Sequence, residues 1–323
     1  MNRIFAFVFY LSVVPALLAA DPVAVDVRPA KAPEELTYWL TNMLAHQCST
    51  EEIGSVLTLS TLQTKTLVDR IQQSAVSDLL KPVESQALVV LPYPGGRHPR
   101  IGFLDGAIQP QRETKVSVFA PWKEGGYLVV DVPEAVWHLR NGKRELLYLA
   151  HTHVPTIWDQ QGLRLERLEW KRDEPGKLSV IRKLPNLVTL STKVKSVKSG
   201  VRMEFSITNR TSEKLTGLDI QMCGMLKGLT GFAEQTNDNK IFVAPFAACK
   251  NLDGNRWVIL GFDHCVRAWG NPPCPCLHAD PKVPDCEPGE TQTVRGWVSF
   301  FEGIEINDEL KRLEKVAFEP ITE

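Results

Sequence analysis

From Ala87 onward the chain is written in short alternating or apolar runs, each closed by Gly, Pro, Asn or Asp, and few stretches carry a helical period. Thr114-Lys115-Val116-Ser117-Val118-Phe119 and Tyr127–Val132 repeat every second residue, which in a strand sends successive side chains to opposite faces. Further strands are predicted at Ala87–Leu91, Leu146–Ala150, Leu163–Arg172, Leu178–Leu184, Val188–Val197, Val201–Thr208, Leu215–Leu226, Lys240–Ala244, Arg256–Phe262 and Gln292–Phe301. Turn clusters such as Pro92-Tyr93-Pro94-Gly95-Gly96 separate nearly all of them. So many short strands without interleaved helices predict a mainly β fold, a large antiparallel β-sandwich over residues 83–306.

The N-terminal part differs. Arg3, the apolar run Ile4–Leu18 and the small residues Ala19-Ala20 read as a secretory signal cleaved near Ala20, which places the mature chain outside the cell or in the periplasm. That run is too short for a comfortable membrane span, and no other segment approaches the length needed. Residues 21–33 read as a Pro- and Val-rich linker. Residues 34–82 carry helical spacing: Leu36, Trp39, Leu40, Met43 and Leu44 fall on one face, and Ser49 with Glu52 matches a capping box. A third helix is predicted to begin at Ser60 or Thr61 and run through Leu67, Val68 and Ile71. The result is a small helical module ahead of the sandwich, with the look of a helix-turn-helix but in an exported chain. A short amphipathic helix is expected at Asn307–Val316, in the tail 307–323.

Charge narrows the partners. The chain holds 37 basic and 38 acidic side chains, a formal net charge of −1, and clusters neither sign. Nucleic-acid binding leans on clustered Lys and Arg, so a nucleic-acid partner is not expected. The motifs of serine hydrolases, HExxH metalloproteases and cysteine proteases are missing.

Three segments carry a recognisable cadence: Val201-Arg202-Met203-Glu204-Phe205-Ser206-Ile207-Thr208-Asn209-Arg210-Thr211, then Leu215-Thr216-Gly217-Leu218-Asp219-Ile220, and later Glu287-Pro288-Gly289-Glu290-Thr291 ahead of Val294–Gly303. This cadence resembles the galactose mutarotase-like β-supersandwich, and the chain also resembles a family of bacterial exported proteins from which no activity carries over. The resemblance implies a concave sheet that faces a sugar. It does not imply mutarotase activity, because that family's paired His and Glu have no assigned counterpart.

The sharpest local constellation is His151-Thr152-His153-Val154-Pro155-Thr156-Ile157-Trp158-Asp159, directly after the apolar run Leu146–Leu149. In a continuing strand His151 and His153 point to one face about 7 Å apart, as an acid/base pair, with Trp158 as stacking platform and Asp159 at the mouth. Gln235, Asn237, Asn239 and Lys240 form a polar run suited to hydroxyl contacts, or equally to a plain turn. Arg97, Arg100 and Arg112, on long loops, are candidates to grip a carboxylate or sulfate on a uronic or sulfated sugar.

Four of the seven cysteines fall between Cys265 and Cys286, on a Pro-rich stretch read as a loop. Export permits disulfides, with Cys223, Cys249, Cys265, Cys274, Cys276 and Cys286 as candidates and Cys48 left over. The alternative is zinc held by Cys274, Cys276, Cys286 and either His264 or His278; otherwise no cofactor is expected. In either case the loop would carry His278, Asp280 and Trp269 toward the cavity that the pair His151 and His153 faces. Three readings stay open: an enzyme acting on a carbohydrate by histidine proton transfer, a carbohydrate or cell-surface binding module, and an envelope protein docking a partner through its helical module.

Overall fold

The computed structural model describes residues 44, 50, 53–54, 60–73, 88–93, 114–122, 125–151, 154–166, 168–174 and 176–322. The expected signal, linker and much of the helical module lie outside the described residues. Within the module, helix α1 spans Thr61–Gln73. The Ser60 hydroxyl accepts from the Gln63 amide at 3.3 Å, while Gln63 Oε1 accepts from the Ser60 amide at 3.0 Å. That reciprocal cap explains why the helix starts where the sequence placed it.

The remainder is mainly β, in two antiparallel sheets. Strand order in the first is β1 (Val90–Pro92), β2 (Lys115–Phe119), β3 (Tyr127–Arg140), β9 (Thr216–Met225), β14 (Cys276–Pro281) and β13 (Cys265–Trp269). Strand β4 (Lys143–Leu149) pairs with the second half of β3, beside the stretch that β2 leaves free. The second sheet runs β10 (Lys240–Val243), β11 (Phe246–Lys250), β12 (Arg256–Phe262), β15 (Thr291–Glu302), β8 (Gly200–Asn209), β7 (Val188–Val197), β6 (Lys177–Lys183) and β5 (Lys171–Glu174). Among the described residues, no helix is long and apolar enough to cross a membrane.

Alternation decides which residues fill the space between the sheets. Leu128, Val130 and Val132 of β3, Leu218, Ile220 and Met222 of β9, and Leu277 and Ala279 of β14 meet Val258, Leu260 and Phe262 of β12 and Val294 and Val298 of β15 in one core. The intervening residues of β12, Trp257 and Ile259, face the other way, where helix α3 (Ile306–Leu313) covers them with Ile306, Leu310 and Leu313. The outer face of the second sheet is therefore covered by a helix over β11, β12 and β15.

Several expectations change. Leu163–Arg172 is a strand only from Lys171; before that the chain is a strap held by side chains, with Trp170 Nε1 donating to Lys115 O at 3.0 Å and Arg182 Nη2 to Glu166 O at 2.7 Å. Strand β3 runs through Pro133 to Arg140, more than twice the expected length, and β4 ends at Leu149 rather than continuing to His151. The cysteine stretch is a hairpin more than a loop: β13 and β14 pair from Cys265↔Pro281 to Trp269↔His278, and Pro272, Pro273 and Pro275 with Cys274 form the connecting turn.

Candidate functional site

The outer face of the first sheet carries the chemistry. Because Leu277 and Ala279 point into the sandwich core, Cys276, His278 and Asp280 share the opposite face of β14. On neighbouring β9 the same rule turns Gln221 and Cys223 outward, with Cys223 directly beside His278. Strand β3 adds Asp131 opposite Cys223 and Ala135 opposite Gln221, so four positions on β3 span two on β9. The surplus is a bulge around Val132–Glu134, which aims Glu134 at the same face. Lys115 of β2 and His151, just past β4, complete the group.

These groups form a continuous buried string. Lys115 Nζ pairs with Asp131 Oδ1, and both side chains are fully buried. Asp131 Oδ2 lies 3.6 Å from His151 Nε2, which in turn lies 3.0 Å from Glu134 Oε1. The other Glu134 oxygen, Oε2, accepts from Gln221 Nε2 at 2.8 Å and lies 3.6 Å from His278 Nδ1. His278 Nε2 faces Cys276 Sγ at 3.3 Å. At the far end Asp280 Oδ2 accepts from Trp269 Nε1 at 2.6 Å and from Arg267 Nε at 3.2 Å. One carboxylate, Glu134, thus stands between two imidazoles.

Burial alone would lower the His278 pKa, but Cys223, Glu134 and Asp280 together raise it to about 9. The contact with Cys223 pulls the Cys276 thiol down, yet Cys274 and burial push it up to about 12. Burial also raises Asp280, against the opposing pull of His278, Trp269 and Arg267. Groups with such opposed influences, packed onto one surface, are what acid/base and metal-ligand sites have in common.

A cavity of about 260 Å³ opens on this string. Glu134, Gln221, His278 and Asn271 supply its polar wall, and Trp137, Leu146, Leu149 and Val154 its apolar wall. Larger clefts of about 540 and 610 Å³ flank the β3–β4 hairpin, where the described imidazole, His138, is 3.1 Å from Glu145.

The sequence-based candidates divide sharply. His151, His278, Asp280 and Trp269 belong to this group; Trp269 and His278 line the cavity, whereas His151 and Asp280 do not, and His151 sits on a bend past β4 and not on a strand. His153, Arg97, Arg100 and Arg112 lie outside the described residues. Asp159 belongs to the cap of helix α2 (Ile157–Gln160): its carboxylate accepts from the Thr156 amide at 2.8 Å and the Thr156 hydroxyl at 2.7 Å. Trp158 is buried with Nε1 donating to Leu147 O at 2.8 Å, so it is no stacking platform. Gln235 is exposed; Asn237 Nδ2 donates to Gly270 O at 3.0 Å; Asn239 and Lys240 bond within their own turn and to Lys250. Their side chains serve the loop and do not line the cavity.

The cysteines also rearrange. Among the described residues Cys249, Cys265, Cys274, Cys276 and Cys286 are in the thiol form, and Cys223 packs beside Cys276 and His278. Cys286 is bridged to Leu215 through the backbone, with its Sγ 3.4 Å from Glu290 O, and His264 occupies a turn at φ 54°. Cys223 takes the place expected for Cys286 beside Cys276 and His278. Sequence reasoning missed Lys115, Asp131, Glu134, Gln221 and Trp137.

No family model and no curated protein matches the chain. Among solved structures, a polysaccharide lyase is similar over 72% of this chain and 35% of its own, at 11% identity and TM-score 0.39. Heparan sulfate lyase HepC from Pedobacter heparinus is similar over 76% of this chain and 42% of its own, at 10% identity and TM-score 0.34. The GalM/aldose epimerase homologue from C. elegans is similar over 59% of this chain and 92% of its own, at 8% identity and TM-score 0.33.

Proposed function

We propose that the chain is an exported carbohydrate-active protein that takes one sugar ring into the cavity beside Glu134 and moves a proton there. The observation that carries this reading is the Glu134 carboxylate, 3% exposed, held between His151 at 3.0 Å and His278 at 3.6 Å at the wall of an amphipathic cavity. A carboxylate that touches bound ligand while two imidazoles share its proton can act as base and then as acid. The polar wall suits ring hydroxyls, and Trp137 with its aliphatic neighbours suits the apolar face of the ring. At about 260 Å³ the space lies near the lower end of small-molecule sites, the scale of a single ring. In this scheme His151, buried behind Glu134 and near Asp131, orients the carboxylate, and Glu134 and His278 reach the ligand. Export rests on the N-terminal pattern around Arg3 and Ala20.

The test is a panel of neutral and uronic sugars in D2O, read by NMR for binding and for deuterium uptake at carbon. Wild type should bind and exchange, Trp137→Ala should bind at least tenfold more weakly, and Glu134→Gln should lose about 100-fold or more of the exchange. Binding without exchange would leave a binding module. No binding of any sugar overturns the proposal.

A further inference from the structure

The geometry points to a thiophilic transition-metal site formed by Cys223, Cys276 and His278, of the kind that holds Zn²⁺. One ligand atom from each of the three lies within 4.8 Å of the other two, and all three side chains are buried. A tetrahedral zinc ion, with bonds of about 2.3 Å to sulfur and about 2.0–2.1 Å to nitrogen, places its S and N ligands about 3.6 Å apart. The Cys276 Sγ to His278 Nε2 separation of 3.3 Å is close to that before any ion draws the ligands into position.

The surroundings match what such an ion needs. His278 presents Nε2 to the sulfurs and Nδ1 to Glu134 Oε2 at 3.6 Å, the arrangement in which a carboxylate fixes the ring of a metal-ligating histidine. Trp269 stacks on the same imidazole at 4.0 Å and limits its rotation. Two thiolates and a divalent cation sum to zero charge, which suits groups buried this completely. Cys276 and His278 line the cavity, as does Cys274 beside Cys276. The donors come from the adjacent strands β9 and β14, whose pairing Cys223↔His278 preforms the site. Two thiols with one imidazole favour zinc or copper(I) over magnesium or calcium.

The test uses the reduced full-length protein and does not depend on any carbohydrate activity. Zinc quantification should find one equivalent, and Co²⁺ added after its removal should give thiolate-to-metal charge-transfer absorption with the visible bands of a tetrahedral ion. Cys223→Ser, Cys276→Ser and His278→Gln should each weaken zinc at least 100-fold, Glu134→Gln about 10–100-fold, and Cys265→Ser should leave it unchanged. Zinc should also protect Cys223 and Cys276, but not Cys265, from alkylation in wild type, a readout that survives if a variant fails to fold. Reduced wild type that takes up neither Zn²⁺ nor Co²⁺ overturns the inference, and so does a Cys223–Cys276 disulfide in the unreduced protein.

Discussion

Trp269 lies flat on His278, the two rings 4.0 Å apart and 15° from parallel, and the Arg267 guanidinium sits 4.2 Å from the centre of the same indole. The indole is therefore sandwiched, and its Nε1 bonds Asp280 besides. Trp269 acts by holding its neighbours. Trp269→Phe keeps a ring on His278 but drops the hydrogen bond, and is expected to cost about 1–2 kcal/mol in urea unfolding. Trp269→Ala, which also removes the stack, should cost about 3 kcal/mol or more.

Lys115 and Asp131 form an ion pair with neither partner exposed. Lys115→Met should destabilise by about 3–5 kcal/mol, because it removes the cation from a buried ion pair. Lys115→Met with Asp131→Leu should recover much of the loss. Chemical denaturation of both variants measures the difference.

Asp263 offers a pH signature away from the cavity. Burial raises its pKa above the usual carboxylate value, although its Oδ1 accepts from the Arg295 amide at 2.7 Å. A carboxyl raised in the folded state contributes stability that is present below about pH 3.9 and lost as the pH climbs through the folded value. Asp263→Asn keeps an acceptor and removes the charge. Its melting temperature relative to wild type should rise between pH 4 and pH 7.

The Thr156–Asp159 pair is a helix cap. Thr156→Ala should lower stability by about 0.5–2 kcal/mol and leave sugar binding unchanged, as read by thermal unfolding and NMR titration.

Much of the fold was legible because one side of each strand is packed: Val188–Val197 and Arg256–Phe262 were placed to the residue. The bulge in β3 was not, since Pro133 looks like a strand end and the pairing that carries the chain past it comes from β9 and β4. At the site, a nearby pair of histidines drew attention to His151, whose described neighbours Asp131 and Glu134 come from β3; His153 lies outside the described residues. The useful signal lay in Cys276-Leu277-His278-Ala279-Asp280, where polar and apolar residues alternate strictly despite the prolines around them. Lys115 and Asp131 left a fainter trace, the one charge in each of the runs Thr114–Phe119 and Tyr127–Val132. Glu134 left none, as its position depends on a bulge that only tertiary pairing reveals.

Strand β14 serves two masters at once, its odd and even positions belonging to different environments. A deletion or duplication of one residue within it would exchange the two sets wholesale, sending the imidazole and carboxylate into oil and the leucine into the pocket. The strand therefore tolerates side-chain replacement only at fixed length, and a change of length is accommodated in the turns on either side.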